Sequence, residues 1–132
     1  MVIIVHGHES FINLSHDSLD VNDVRKYVSA KDMSCKIHNI DFQSCFGGLA
    51  NKNGRIMAVE FLIALDAEAA YGATGTLMYL GSKNYVIGGR YYKFINDELD
   101  QIVRIGGVFR YDVMYRINHM IRPYVVLDNY PS

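Results

Sequence analysis

The chain opens on four consecutive β-branched apolar residues, Val2-Ile3-Ile4-Val5. A run this short and this uniformly apolar predicts a buried strand. It stops at His6-Gly7-His8, and a polar stretch follows. Between Ser18 and Ala30, the residues Leu19, Val21, Val24, Tyr27 and Val28 recur near helical spacing, which predicts a helix capped by Asp17 or Ser18. Ile37, Ile40 and Phe42 mark a second strand from Ile37 to Phe42, running into Gln43-Ser44-Cys45-Phe46-Gly47-Gly48. A loop rich in Asn and Gly reaches Gly54. Arg55 to Ala70 is apolar on most sides and predicts a long, mostly buried helix, ended by Tyr71-Gly72-Ala73. Thr74 to Leu80 predicts a third strand, closed by Gly81-Ser82.

This alternation of strands and helices argues for an α/β fold, a mostly parallel sheet flanked by crossover helices. Farther along, Tyr85 to Gly89 reads as turn-rich, Phe94 to Ile105 and Tyr111 to Ile121 as helices, and Tyr124 to Leu127 as a final short strand after Pro123. There is no internal repeat, low-complexity segment or linker, so residues 1–132 read as one domain.

Composition narrows the function classes. Half of the residues are hydrophobic, enough for a real core and unlike a disordered chain. The formal net charge is −1 and the basic residues do not cluster, so no nucleic-acid partner is expected. The longest apolar stretch, Ile56 to Ala70, is interrupted by Glu60, Asp66 and Glu68 and is too short to span a membrane. The N-terminus lacks the basic leader and cleavage site of a signal peptide, which leaves a soluble protein in a reducing compartment as the expectation. The two cysteines, Cys35 and Cys45, are too few for a disulfide framework. No Cys/His spacing suits a zinc site, since Cys35 and His38 lack a second pair, and no cofactor is implied.

Two features sit at equivalent places. His6-Gly7 follows the first strand, and Ser44-Cys45-Phe46-Gly47-Gly48 follows the second. Sites in open parallel sheets form beyond the carboxyl ends of the strands. If the two strands are neighbours, His6 and Cys45 emerge together. A thiolate is the nucleophile in such chemistry, and a nearby imidazole acts as its base. Gly7 leaves a backbone N–H unobstructed, which with the Cys45 N–H would form an oxyanion hole. The competing reading is that a cysteine at a strand end is a small buried hydrophobe and a loop histidine a surface polar group. Cys35 falls at the far end of its strand and reads as structural.

These segments resemble the caspase-like cysteine peptidases, a group that includes metacaspases, legumain-like enzymes, gingipains and the self-cleaving domains of bacterial toxins. Val2-Ile3-Ile4-Val5-His6-Gly7 is similar to their histidine strand, and Asp41-Phe42-Gln43-Ser44-Cys45-Phe46-Gly47-Gly48 to their nucleophile segment. Ala70-Tyr71-Gly72-Ala73-Thr74-Gly75 looks like the turn that follows the long helix in toxin members. The resemblance covers roughly residues 2 to 82. It implies a minimal caspase-like fold and a cysteine endopeptidase acting on a protein or peptide. It also implies a catalytic pair of His6 and Cys45, with His6 preferred over His8 because it directly precedes glycine. Gln43 matches the glutamine two residues before the caspase cysteine and is a candidate substrate-binding residue. Arg90 is a second candidate, for an acidic substrate side chain, against the reading that Arg90 and Lys93 form a solvated charged face.

His16, His38 and His119 read as surface or packing residues. The tyrosines crowding the C-terminal third suit either packing or an interface. Family members carry one or two strands before the histidine strand; here a later strand, or a second copy in a homodimer, would complete the sheet. The resemblance places the protein in the cytoplasm, or as a secreted effector in the cytosol of a target cell. Two other functions compete. One is a non-catalytic caspase-like binding or regulatory module. The other is a small acyl hydrolase, against which stand an elbow at Gln43-Ser44-Cys45-Phe46-Gly47 without its first glycine and a single late histidine, His119.

Overall fold

The computed structural model describes residues 1–80, 83–89, 91–95 and 124–126. Its strands are β1 (Val2–Ile4), β2 (Phe11–Asn13), β3 (Ser18–Asp20), β4 (Asn39–Gln43), β5 (Ala69–Ala73), β6 (Thr76–Leu80), β7 (Lys83–Ile87), β8 (Tyr91–Ile95) and β9 (Tyr124–Val126). Its α-helices are α1 (Val24–Tyr27) and α2 (Met57–Ala64). The main sheet has five strands in the order β1-β4-β5-β8-β9; three of its four pairings are parallel, and β8 runs antiparallel to β5. Two hairpins, β2–β3 and β6–β7, form separate two-stranded sheets. The mostly parallel α/β sheet flanked by helices is therefore present.

One face of the main sheet carries α1 and α2. Ile40 and Phe42 of β4, Ala70 of β5 and Phe94 of β8 meet Val21, Val24, Met57, Phe61 and Leu62 in one buried cluster. Each such large apolar side chain contributes on the order of 1.5–3 kcal/mol relative to exposure. The other face carries the β6–β7 hairpin, where Leu77 and Val86 close over Ala73, with Cys45 and Tyr71 against them.

Several boundaries differ from the sequence reading, each for a local reason. The predicted helix over 18–30 is instead β3, a 3₁₀ turn (Val21–Asp23) and one turn of α1. Valines, Asn22 and Asp23 are weak helix formers, and the cap is Asp20, whose carboxylate accepts the Asn22 N–H at 2.8 Å. The second strand is shifted to Asn39–Gln43.

Helix α2 stops at Ala64, six residues short of the expected end. Asp66 takes a left-handed φ of 51°, its N–H donates to Ile63 O at 3.2 Å, and the Ala67 N–H donates to Leu62 O at 2.9 Å. This is a Schellman C-cap built without glycine.

The third core strand is thus Ala69–Ala73, and the predicted strand at Thr74–Leu80 is a hairpin strand outside the main sheet. Tyr85 to Gly89, expected to be a turn, lies mostly in β7. The expected helix from Phe94 begins inside β8, and its remainder, with the Tyr111 to Ile121 helix, lies outside the described residues. The short strand near Tyr124 is present as β9.

Strand β1 is not buried on both faces. It is an edge strand whose Val2 and Ile4 are 57% and 64% exposed, while Ile3 and Val5 pack on the core. The later strands β8 and β9 extend the sheet beyond β5, so they leave the β1 edge uncovered among the described residues.

Glu60 interrupts the apolar pattern of α2. It is wholly buried, and each of its oxygens accepts from a guanidinium at 2.9 Å, one from Arg25 of α1 and one from Arg55 just before α2.

Candidate active site

The site begins with register. β1 and β4 are parallel neighbours with Val2 opposite Asp41 and Ile4 opposite Gln43, an offset of 41 − 2 = 39 residues. His6 and Cys45 are separated by the same 45 − 6 = 39 residues, and each lies two positions beyond the last register pair. Adjacent strands lie about 4.8 Å apart, within reach of two facing side chains. His6, Gln43, Ser44 and Cys45 line one pocket of about 320 Å³, walled by Ile4, Val5 and Leu77.

The segment after β4 is tightly held. The Phe46 N–H donates to Gly75 O at 3.0 Å, the Gly47 N–H to Ser44 O at 3.2 Å, and the Gly48 N–H to Ala73 O at 2.7 Å. The Ala58 N–H, in the first turn of α2, donates to Gly47 O at 2.9 Å, so the loop after β4 caps the helix. Gly48 lies backbone to backbone on β5, where a Cβ on it would fall 2.5 Å from Gly72 O. Phe46, directly after Cys45, has φ 59°, a strained value for a side chain of its size. Gly7 is needed for a different reason, since a Cβ there would fall 2.3 Å from the buried Ser44 Oγ.

Among the described residues no hydrogen bond joins His6 to Cys45. The Cys45 sulfur instead meets the backbone of Leu77. The Leu77 N–H donates to Sγ at 3.3 Å, and the thiol donates to Leu77 O at 3.6 Å. His6 is exposed at the pocket rim. His8 does not line the pocket. It pairs with Glu9 at 2.8 Å, stacks on Phe11 and leans on Phe46, with ring centroids 5.6 and 6.0 Å away. Neither the Gly7 nor the Cys45 N–H donates a hydrogen bond among the described residues, whereas the Phe46 and Gly47 N–H groups are used.

Gln43 lines the pocket, and its amide donates to Asp41 Oδ2 at 3.0 Å. Arg90 and His119 lie outside the described residues, as do Tyr111 and Tyr115. Lys93 is half-buried with its ammonium 5.8 Å from the centre of the Tyr71 ring. Both cysteines are free thiols, Cys35 exposed near the amino end of β4 and Cys45 half-buried. His16 is exposed, and His38 is exposed beside Glu68 at 3.2 Å.

Sequence reasoning passed over Ser44, Phe46 and Leu77. The small residue before Cys45 was a readable signal for Ser44. Leu77 acts through its backbone and left none.

Among the described residues, no group of three or more His, Cys, Asp or Glu is placed to hold a metal, and no helix is long and apolar enough to cross a membrane. No family model matches the chain, and no curated protein or solved structure is found to be similar to it.

Proposed function

We propose that the chain is a minimal caspase-like cysteine endopeptidase in which Cys45 is the nucleophile and His6 its base. The observation that supports this reading is that His6 and Cys45, each just past the carboxyl end of one of two adjacent parallel strands, line one pocket. The unengaged Gly7 and Cys45 N–H groups supply the two donors an oxyanion needs. In the reaction the sulfur leaves Leu77, gives its proton to His6 and attacks the scissile carbonyl. The amine leaves with that proton, and water releases the acyl group from the sulfur.

Two contacts from Leu77 to the sulfur favour a second reading, a non-catalytic binding module in which Cys45 is a packing thiol. Iodoacetamide separates the two, because Cys35 is exposed and serves as an internal reference for an ordinary thiol. At pH 7 Cys45 labels faster than Cys35, and His6→Ala abolishes that fast labelling. Cleavage of a peptide library stops in Cys45→Ala and in His6→Ala. Cleavage that survives both changes, or Cys45 labelling indifferent to His6→Ala, overturns the dyad.

A further inference from the structure

A larger cavity lies on the opposite face of β1 from the thiol, about 610 Å³ in volume, between β1, the β2–β3 hairpin and α1. Ile3 of β1 and Val5 just after it, with Ile12, Leu19 and Phe61, form apolar walls. Asp17, Asp20 and Asp23 stand along one side. Asp17 and Asp20 each use one oxygen, Oδ1, to accept a nearby backbone N–H, from Ser18 and Asn22 at 2.7 and 2.8 Å. Their Oδ2 atoms have no partner among the described residues. Lys26 offsets only Asp23, from 3.0 Å, and that carboxylate holds its ammonium above the ordinary lysine range.

The cavity adjoins a sheet edge that no strand covers among the described residues. In the β1–β4 ladder Met1 O accepts from the Asp41 N–H and the Val5 N–H donates to Gln43 O. The alternation of a strand then turns the N–H and C=O of Val2 and Ile4 outward, to the side where no strand is described. Natural edges are guarded by charges, proline or bulges, and Val-Ile-Ile carries none of these. Beyond Ile4 the edge is closed, because His6 O accepts from the Asn13 N–H of β2 at 2.8 Å. An added strand beside β1 would lay alternate side chains into the cavity, in line with Ile3 and Val5.

We propose that this edge and cavity together bind an extended peptide segment by strand addition, with an apolar residue in the cavity and a lysine or arginine two residues away on the same face. Charge complementarity selects this occupant. A second copy paired through its own β1 would bring Val-Ile-Ile and no basic side chain, and would set two acidic rims on one side of the joined sheet. The site does not depend on the thiol chemistry.

The probe is fluorescein-Lys-Thr-Ile-Thr-Lys-amide, followed by fluorescence anisotropy with the full chain. It binds, salt weakens binding, and the Glu-Thr-Ile-Thr-Glu analogue does not bind. The Asp17→Asn/Asp20→Asn double variant keeps both backbone bonds and weakens binding about tenfold, as expected for losing two charge pairs of modest strength. Of two analogues N-methylated at alternate amides, the one blocked on the face toward β1 fails and the other binds. Absence of binding, equal binding of the acidic analogue, an unchanged double variant, or binding by both N-methylated analogues overturns the proposal. So does self-association in sedimentation that Ile4→Lys abolishes, which would give the edge to a second copy.

Discussion

Glu60→Gln tests the buried charge cluster that joins α1 to α2 and to Arg55 just before it. Glu60 is 0% exposed and accepts two guanidinium hydrogen bonds of 2.9 Å, while the Arg25 and Arg55 side chains keep 30% and 22% exposure. Breaking a buried ion pair from one side costs about 3–5 kcal/mol, because the orphaned charge stays desolvated. Here the arginines retain partial access to water, so the lower end applies, about 3 kcal/mol. For a chain of this size that lowers Tm by about 10 °C. In urea the midpoint falls by roughly 1–2 M. Glutamine keeps the shape and one acceptor, so the loss reports the charge and not a cavity. The triple variant Arg25→Met/Glu60→Leu/Arg55→Met removes all three charges and stays within about 2 kcal/mol of the parent, since apolar replacements of whole buried clusters are often neutral. Urea unfolding followed by circular dichroism measures all of these. A Glu60→Gln protein within about 1 kcal/mol of the parent would refute the reasoning, as would a triple variant less stable than the single one.

Two other substitutions probe how the site is held. Gly72→Ala puts a Cβ at 2.9 Å from both N and Cα of Gly48, so the loop after Cys45 must lift from β5. The expected loss is about 2 kcal/mol in urea unfolding, and a loss below about 0.5 kcal/mol would show that the contact is not tight. Asp66→Gly relieves the left-handed φ of 51° at the end of α2. It should raise stability by roughly 0.5–1 kcal/mol, and a lower Tm would mean the aspartate side chain holds the cap.

The pieces legible in the sequence are those where one signal dominated. Val2 to Val5 is β-branched throughout, and Ile40 and Phe42 alternate toward one face, so β1 and β4 follow from pattern. The edge character of β1 was not legible, because an apolar run reads as buried whether or not a neighbour covers it. β5 was missed for its composition. Ala69-Ala70-Tyr71-Gly72-Ala73 has little strand propensity, yet its small residues let Gly48 reach the backbone at the centre of the sheet. The end of α2 was missed because Asp66 stands where glycine usually marks the stop. The pairing of Glu60 with Arg25 spans 35 residues, and no local pattern announces it.

The fold leaves the candidate nucleophile little freedom except at its own side chain. Its loop is fixed to β5 through Gly48, to the start of β6 through Phe46 and to α2 through Gly47. Sγ can rest on Leu77, or turn toward His6 across the pocket that both line. Leaving Leu77 gives up two weak hydrogen bonds, together about 1–2 kcal/mol, so the turned state is populated at roughly one molecule in five to one in thirty. Under the proposed mechanism, Cys45 labelling is the product of that population and activation by His6. His6→Ala removes only the second factor. The variant should therefore label more slowly than the exposed Cys35, by about the same five- to thirtyfold, and not merely at an equal rate. A His6→Ala protein whose Cys45 labels as fast as Cys35 would show that Leu77 does not restrain the sulfur.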